Sequence, residues 1–188
     1  MKEIKSRLIL KPGIDETNMF QIARSRRWSL YDIGNKNSEI YRHIWHSSDG
    51  GVEIHYVEDP LTGLNFVTLR GPGAESIEQD IRSSLPVWTY PEALGALRSS
   101  DGRDDRLYSA YAAALTAPTT EDEPLVEEMR RMSVDTDPGI RQAVVVATGY
   151  CPWPSLVEIV KHLEESDAVE NVRDNARLLL EGLERNNT

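Results

Sequence analysis

A helix pair opened by proline recurs three times in the second half of this chain, and no other feature restricts the fold as much. Pro91, Pro124 and Pro154 begin short apolar segments, and Arg106, Arg141 and Arg173 lie near the start of the segments that follow. The prolines are 33 and 30 residues apart and the arginines 35 and 32. A pair repeated at about this period cannot bury its apolar face alone and stacks on its neighbours, an architecture that makes surfaces more readily than active sites. The pattern predicts helices over 91–99 with 105–115, 124–133 with 138–148, and 154–165 with 169–180. Proline is favoured at a first helical position because its missing N–H would be unpaired there anyway. Connections this short make each pair antiparallel. Ala110, Ala112, Ala113, Ala114, Ala143 and Ala147 permit close helix approach. Leu178, Leu179 and Leu180 predict a last helix that covers the stack, followed by a polar tail.

Charge is divided unevenly between the halves. Residues 1–88 carry 11 Lys and Arg against 12 Asp and Glu, whereas residues 89–188 carry 10 against 19, so nearly all of the net −10 belongs to the helical half. A negative helical array repels phosphate backbones and attracts basic proteins through long-range steering. The reading is therefore a basic protein partner and no nucleic acid. At 188 residues the chain is long enough for one sizeable core or two smaller ones. It contains no run of about 18 apolar residues, and its first residues read as a strand instead of a leader, so no membrane partner and a cytoplasmic location are expected. Cys151 is the only cysteine, which excludes an internal disulfide and a four-cysteine zinc site; it reads as a small residue in an inter-helix turn.

Residues 1–88 read as an α/β domain and 89–188 as a separate helical domain, an α+β fold overall. Residues 3–10 form a strand stopped by Lys11-Pro12-Gly13. A helix follows through about Arg27, capped by Asp15 or Thr17, with Met19, Phe20, Ile22 and Ala23 on its apolar face. Residues 31–37 look like a loop. Two β-rich runs then flank Ser48-Asp49-Gly50-Gly51, a hairpin signal in which both turn residues, Asp49 and Gly50, want positive φ. That register pairs Ser48 with Gly51, Trp45 with Ile54 and His43 with Tyr56. It places Tyr41, His43, Trp45, Ile54 and Tyr56 on a buried face and Ile40, Ile44, His46, Glu53 and His55 on the other. Asp59-Pro60-Leu61-Thr62-Gly63 turns the chain into a third meander strand at 64–71, and Ile77, Ile81 and Leu85 mark a closing helix. The order is β-α-β-β-β-α.

The stretch Asp137-Pro138-Gly139-Ile140-Arg141-Gln142-Ala143, followed by an apolar helix, resembles the second helix of a HEAT-type repeat, and Asn171-Val172-Arg173-Asp174-Asn175-Ala176 is similar. The resemblance covers residues 90–182. The units are shorter than the family's forty-odd residues, and an aspartate four places before the arginine occurs only as Asp137. A plain bundle of five or six helices stays open beside it. The resemblance implies a scaffold for protein–protein interaction.

Signals for chemistry are weak. His43, His46, His55 and Glu53 are the residue types that bind zinc or iron, but the hairpin register turns His43 away from the others, leaving a cross-strand His46–Glu53 pair and no metal site. Gly71-Pro72-Gly73 before a helix could offer N–H groups to an anion, yet Glu75, Glu78 and Asp80 fill that approach and no P-loop lysine follows. Arg24, Arg26 and Arg27 beside Trp28 could grip a carboxylate or stack on a base; they also suit the end of a helix dipole. No hydrolase or dithiol redox signature occurs, and no cofactor is implied.

The acids carry the functional expectation. Asp101, Asp104 and Asp105 lie in the first intra-pair turn, Asp135 and Asp137 in the second, and Glu164, Glu165, Asp167 and Glu170 around the third. In a stack, equivalent turns align, so these nine carboxylates are predicted to line one ridge. Capping accounts for about one acid per turn and leaves the surplus. The expected function is a non-enzymatic module that binds a basic protein, in its most concrete form a bacterial immunity or inhibitor protein. The alternative is an enzyme or small-ligand binder with a pocket between meander and helices, lined by Tyr41, His43, Trp45 and Tyr56. A chaperone-like holder of a cofactor-bearing protein is a third possibility.

Overall fold

A computed structural model describes residues 4–35 and 41–186. The chain divides into two compact units, Met1–Trp88 and Thr89–Thr188.

The first unit is a five-stranded antiparallel sheet with helices. Its strands are β1 (Ile4–Ile9), β2 (Ser29–Ile33), β3 (Tyr41–His46), β4 (Glu53–Glu58) and β5 (Asn65–Arg70), in the spatial order β1-β5-β4-β3-β2. Helix α1 (Glu16–Arg26) follows β1, and α2 (Ala74–Ser84) follows β5 and packs on both of those strands. Asp15 caps α1, accepting from the N–H groups of Thr17 at 2.8 Å and Asn18 at 3.3 Å, while the Asn18 carboxamide accepts from the Asp15 N–H. The expected register holds, with Trp45 opposite Ile54, His43 opposite Tyr56 and His46 opposite Glu53. One sheet face and the apolar sides of the helices share a core that includes Leu8, Met19, Ile22, Trp45, Ile54, Tyr56, Val67 and Ile81. Ile40, expected on the opposite face, lies outside the described residues.

Two local expectations are corrected. The segment read as a loop over 31–37 contains most of β2, an edge strand whose five residues are all exposed. It buries neither face, so it lacks the alternation that marks a strand, and a register shift between Leu30 and Asp32 interrupts its pairing with β3. The β3–β4 turn is also wider than a two-residue hairpin. Ser47 donates its N–H to the Val52 carbonyl at 2.9 Å, so Ser48 and Gly51 belong to a four-residue loop, and of Asp49 and Gly50 only Gly50 has positive φ. Asp49 accepts from the Ser47 hydroxyl at 2.6 Å and the Gly51 N–H at 3.0 Å, and these bonds hold its carboxyl below the usual range. The strand register survives because the loop adds one residue on each side.

Arg27 ends α1 in the left-handed region at φ 58°, ψ 37°. The cap bonds the N–H of Trp28 back to the Ala23 carbonyl at 2.8 Å, a geometry that glycine adopts without the Cβ penalty. Arg27→Gly is expected to raise stability by about 0.5–1 kcal/mol, read as a higher urea midpoint at unchanged slope. A lower midpoint would mean that the Arg27 side chain contributes more than the turn costs.

The second unit is three stacked helical hairpins: α3 (Tyr90–Ser99) with α4 (Arg103–Thr116), α5 (Glu123–Ser133) with α6 (Pro138–Tyr150), and α7 (Pro154–Ser166) with α8 (Glu170–Asn186). Proline occupies the first or second position of α3, α5, α6 and α7. First helices pack on first helices, α3 on α5 and α5 on α7, and second helices on second helices, α4 on α6 and α6 on α8. Fully buried Ala110, Ala112 and Ala113 on α4 and Ala143 and Ala147 on α6 bring the second helices close, while Leu125, Met129, Leu156 and Val160 fill the interior from the first helices. Helix α8 buries Val172 and Ala176 against the stack, but Leu178 stays 59% exposed and Leu179, Leu180 and Leu183 are only half-buried. The last helix therefore covers its neighbours without ending the stack in a polar face. Among the described residues no helix is long and apolar enough to cross a membrane.

Candidate functional site

The three intra-hairpin turns lie along one edge of the stack because arginines reach from each hairpin into the turn of the next. Arg106 on α4 donates to Asp135 at 2.6 Å, and Arg103, in the same first turn, donates to Asp137 at 2.6 Å. Arg141 on α6 grips Asp167 with Nε at 2.6 Å and Nη2 at 2.8 Å, a bidentate pair whose side chains are 12% and 1% exposed. The same arginine turns Nη1 back to the Asp135 carbonyl at 2.8 Å, and Arg173 on α8 does likewise to the Asp167 carbonyl at 2.5 Å.

Each of these aspartates also organises its own turn. Asp137 accepts from the Gly139 N–H at 2.7 Å, Asp135 from the Asp137 N–H at 2.9 Å and Asp167 from the Val169 N–H at 2.8 Å. Their carboxyls lie below the usual range. The backbone N–H of Asp137 leads for Asp135, that of Gly139 leads for Asp137, and the Arg141 guanidinium leads for Asp167.

The nine predicted carboxylates are thus brought to three adjacent turns but divide into two kinds. Asp135, Asp137 and Asp167 are ion-paired and hold hairpin to hairpin. Asp101, Asp104, Asp105, Glu165 and Glu170 are exposed, and Glu164 is half-buried. Asp104, 92% exposed at the side chain, meets the Arg103 Nη1 at 3.1 Å. Sequence reasoning marked Arg106, Arg141 and Arg173 as repeat positions without seeing their partners, and it missed Arg103. A signal was present: Asp135 and Asp167 each stand six places before the arginine of their own hairpin.

The opposite edge, not anticipated from sequence, is also tied by acids. Glu121 accepts from the Ser155 hydroxyl at 2.5 Å and the Ser155 N–H at 3.2 Å, capping α7, and Tyr90 donates to Asp122 at 2.5 Å. Cys151 is buried beside this edge, and burial followed by the charge of Glu121 pushes its thiol up to about 12. It is inert at neutral pH.

The alternative pocket residues sit in the core of the first unit. His43, Trp45 and Tyr56 are 2%, 1% and 0% exposed, and Tyr41 is half-buried. His43 Nε2 lies 3.0 Å from Glu16 Oε2 and 2.7 Å from Tyr41 Oη, and Tyr41 also donates to Glu16. The Gly34 N–H donates to His43 Nδ1 at 3.4 Å. Phe20 meets both His43 and Trp45 edge-on, with 5.2 Å between ring centroids in each pair. The four side chains fill space between sheet and α1, and both ring nitrogens of His43 are occupied. Burial, then the bond to Glu16, pushes the Tyr41 phenol up to about 12.

On the other sheet face Glu53 turns to His55 at 3.3 Å instead of crossing to His46, and His46 stacks under Tyr31 at 4.7 Å. Among the described residues no three His, Cys, Asp or Glu side chains converge as a metal ion would need. Ser6 and the Gly71-Pro72-Gly73 loop line a small cleft of about 230 Å³ that Glu75 and Glu78 make acidic; Glu78 accepts from Ser6 at 2.6 Å and from Arg82 at 2.8 Å. Of the basic cluster, Arg26 pairs with Asp80 at 3.0 Å and Trp28 is buried.

Family models, curated protein sequences and solved structures contain no match to this chain. The functional reading therefore rests on the geometry of the helical edge.

Proposed function

We propose that this protein is a non-enzymatic protein–protein interaction module, HEAT-like in its helical unit, that binds a basic protein partner along the acidic edge of the stack. The observation that supports the reading is the arrangement of the turns: paired aspartates fix three turns side by side, and Asp101, Asp105, Glu164, Glu165 and Glu170, which form no ion pair with a described residue, flank them with Asp104. Exposed carboxylates on a rigid frame are preorganised, so a cationic surface meets them without first ordering them. Repulsion among them in the free protein is relieved on binding. An immunity or inhibitor protein that captures a basic enzyme is the specific form of this proposal.

The test separates the two kinds of acid. After cross-linking capture of the partner from the native host, affinity is measured against salt for Asp104→Lys, Asp105→Lys, Glu164→Lys and Glu165→Lys combined. The expectation is an affinity lower by at least about tenfold, carried mostly by the association rate, with a flatter salt dependence. Unchanged affinity and unchanged salt slope would remove the acidic edge as the binding surface.

A further inference from the structure

We infer that β2 accepts an added strand: an extended segment of a partner protein, antiparallel to β2, with alternating apolar residues and a carboxylate-rich C-terminal end. The two sides of the sheet differ. On the β1 side the chain itself adds backbone bonds at the end of the strand, since the Trp88 N–H donates to the Ile9 carbonyl at 2.8 Å and the Lys11 N–H to the Pro86 carbonyl at 3.0 Å. On the β2 side no described residue beyond β3 pairs with the strand, and all five of its residues are exposed. Such a row of backbone donors and acceptors is a template for strand addition unless lysine, proline or a covering element blocks it. Strand β2 holds neither lysine nor proline, and its one charged residue, Asp32, lies opposite Ile44 on the sheet face away from the core.

Side chains state what the added strand carries. Leu30 is opposite Trp45 and Ile33 opposite His43, so the register puts both on the core face of the sheet. Phe20 on α1 meets the rings of those same two partners, with centroids 5.2 Å apart in each pair. Phe20, Leu30 and Ile33 are 37%, 42% and 64% exposed, so the apolar face runs on past the last strand into solvent. Alternate apolar residues of one more strand cover it. Charge sets the direction. Arg24 and Arg27 stand exposed just before β2 and form no ion pair with a described residue, whereas Arg26 between them is held by Asp80 at 3.0 Å. An antiparallel strand ends where β2 begins, so its C-terminal carboxylates arrive beside these two guanidiniums. Arg27 also occupies a left-handed position that glycine would hold at less cost, which fits a side chain kept for contact and not for the fold. A second copy of β2 runs into Gly34-Asn35 at its C-terminal end and brings no acidic cluster there.

The probe is a fluorescein-labelled peptide, VTVTVTDEE, added to the full chain, with VTVTVTKKK and EEDTVTVTV as controls. Fluorescence anisotropy is expected to show the first binding at least about fivefold tighter than either control, by a margin that shrinks as salt rises. Arg24→Gln combined with Arg27→Gly is expected to remove that preference. N-methylation of one alternate set of peptide amides is expected to abolish binding and of the other set to leave it, because only one edge of the peptide meets β2. Amide exchange over residues 29–33 is expected to slow at least about tenfold when the peptide is bound. Absence of binding at millimolar peptide, equal binding of the three peptides, or binding indifferent to both N-methyl sets would overturn the proposal. So would a dimer in sedimentation whose 29–33 amides are protected without peptide, since a second copy would then hold β2. The carboxylates of the helical unit take no part, so this proposal and the one for the acidic edge fail separately.

Discussion

Asp167→Ala is expected to destabilise the helical unit by about 3–5 kcal/mol, the range found when one partner of a buried ion pair is removed. The Asp167 side chain is 1% exposed and that of its partner Arg141 12%. Alanine leaves the guanidinium with its Nε and Nη2 donors facing a site that held two carboxylate oxygens, and it also removes the acceptor of the Val169 N–H that begins the turn into α8. Replacing both partners, as Arg141→Met with Asp167→Leu, is expected to recover much of the loss, because the penalty comes from the stranded charge more than from the lost attraction. Urea unfolding of the two singles and the double separates these contributions.

The same pair sets an acid limit on stability. The folded-state pKa of Asp167 lies below its unfolded value, led by the bond to Arg141, and those of Asp135 and Asp137 are lowered too. A depressed carboxyl contributes stability that is fully present above its unfolded pKa and disappears as pH falls through its folded one. The loss is therefore expected below the ordinary aspartate range of about 4, and neutral pH is expected to lie on a plateau. Asp167→Asn should flatten that acid dependence, which a titration of unfolding midpoint against pH reads directly.

Trp45→Ala is the second large effect, expected at about 3–5 kcal/mol. The indole is 1% exposed, belongs to the core with Met19, Ile22 and Tyr56, and takes the edge of Phe20 at 5.2 Å. Truncation leaves an apolar void that the sheet cannot close. A void of that kind binds apolar molecules, so indole is expected to raise the Tm of Trp45→Ala and leave the parent protein unchanged. The comparison also bears on the pocket reading, for a parent chain with open space around Tyr41, His43, Trp45 and Tyr56 would respond to indole without the substitution.

The parts of this fold that could be read from sequence were those in which burial leaves a period. The β3–β4 register followed from centring the turn on Asp49 and Gly50, with Tyr41, His43, Trp45, Ile54 and Tyr56 then falling on one face, and it survived a wider turn because the loop is extended equally on both sides. Pro91, Pro124 and Pro154 announced helix starts because proline tolerates few other places in a helix. Strand β2 left no such trace: Leu30, Tyr31 and Ile33 are exposed at 42%, 70% and 64%, and its pairing shifts register midway.

The acidic turns were visible as a surplus of charge, but the division of labour among them was not. It depends on contacts spanning 29 residues for Arg106 with Asp135, 34 for Arg103 with Asp137 and 26 for Arg141 with Asp167. No local pattern tells a paired aspartate from a solvated one. Only the six-residue spacing from Asp135 to Arg141 and from Asp167 to Arg173 hinted that some of the acids belong to the frame.

Everything proposed for the edge requires that the first and third turns face the same way across the second. Spin labels at Asp101→Cys and Glu165→Cys, both exposed positions, in a Cys151→Ala background, measure that separation by pulsed electron resonance. Two interaxial steps of stacked helices place the turns about 20 Å apart, and one narrow distribution near that value, lengthened by the labels, is expected. A broad distribution, or one centred beyond about 35 Å, would contradict the aligned edge.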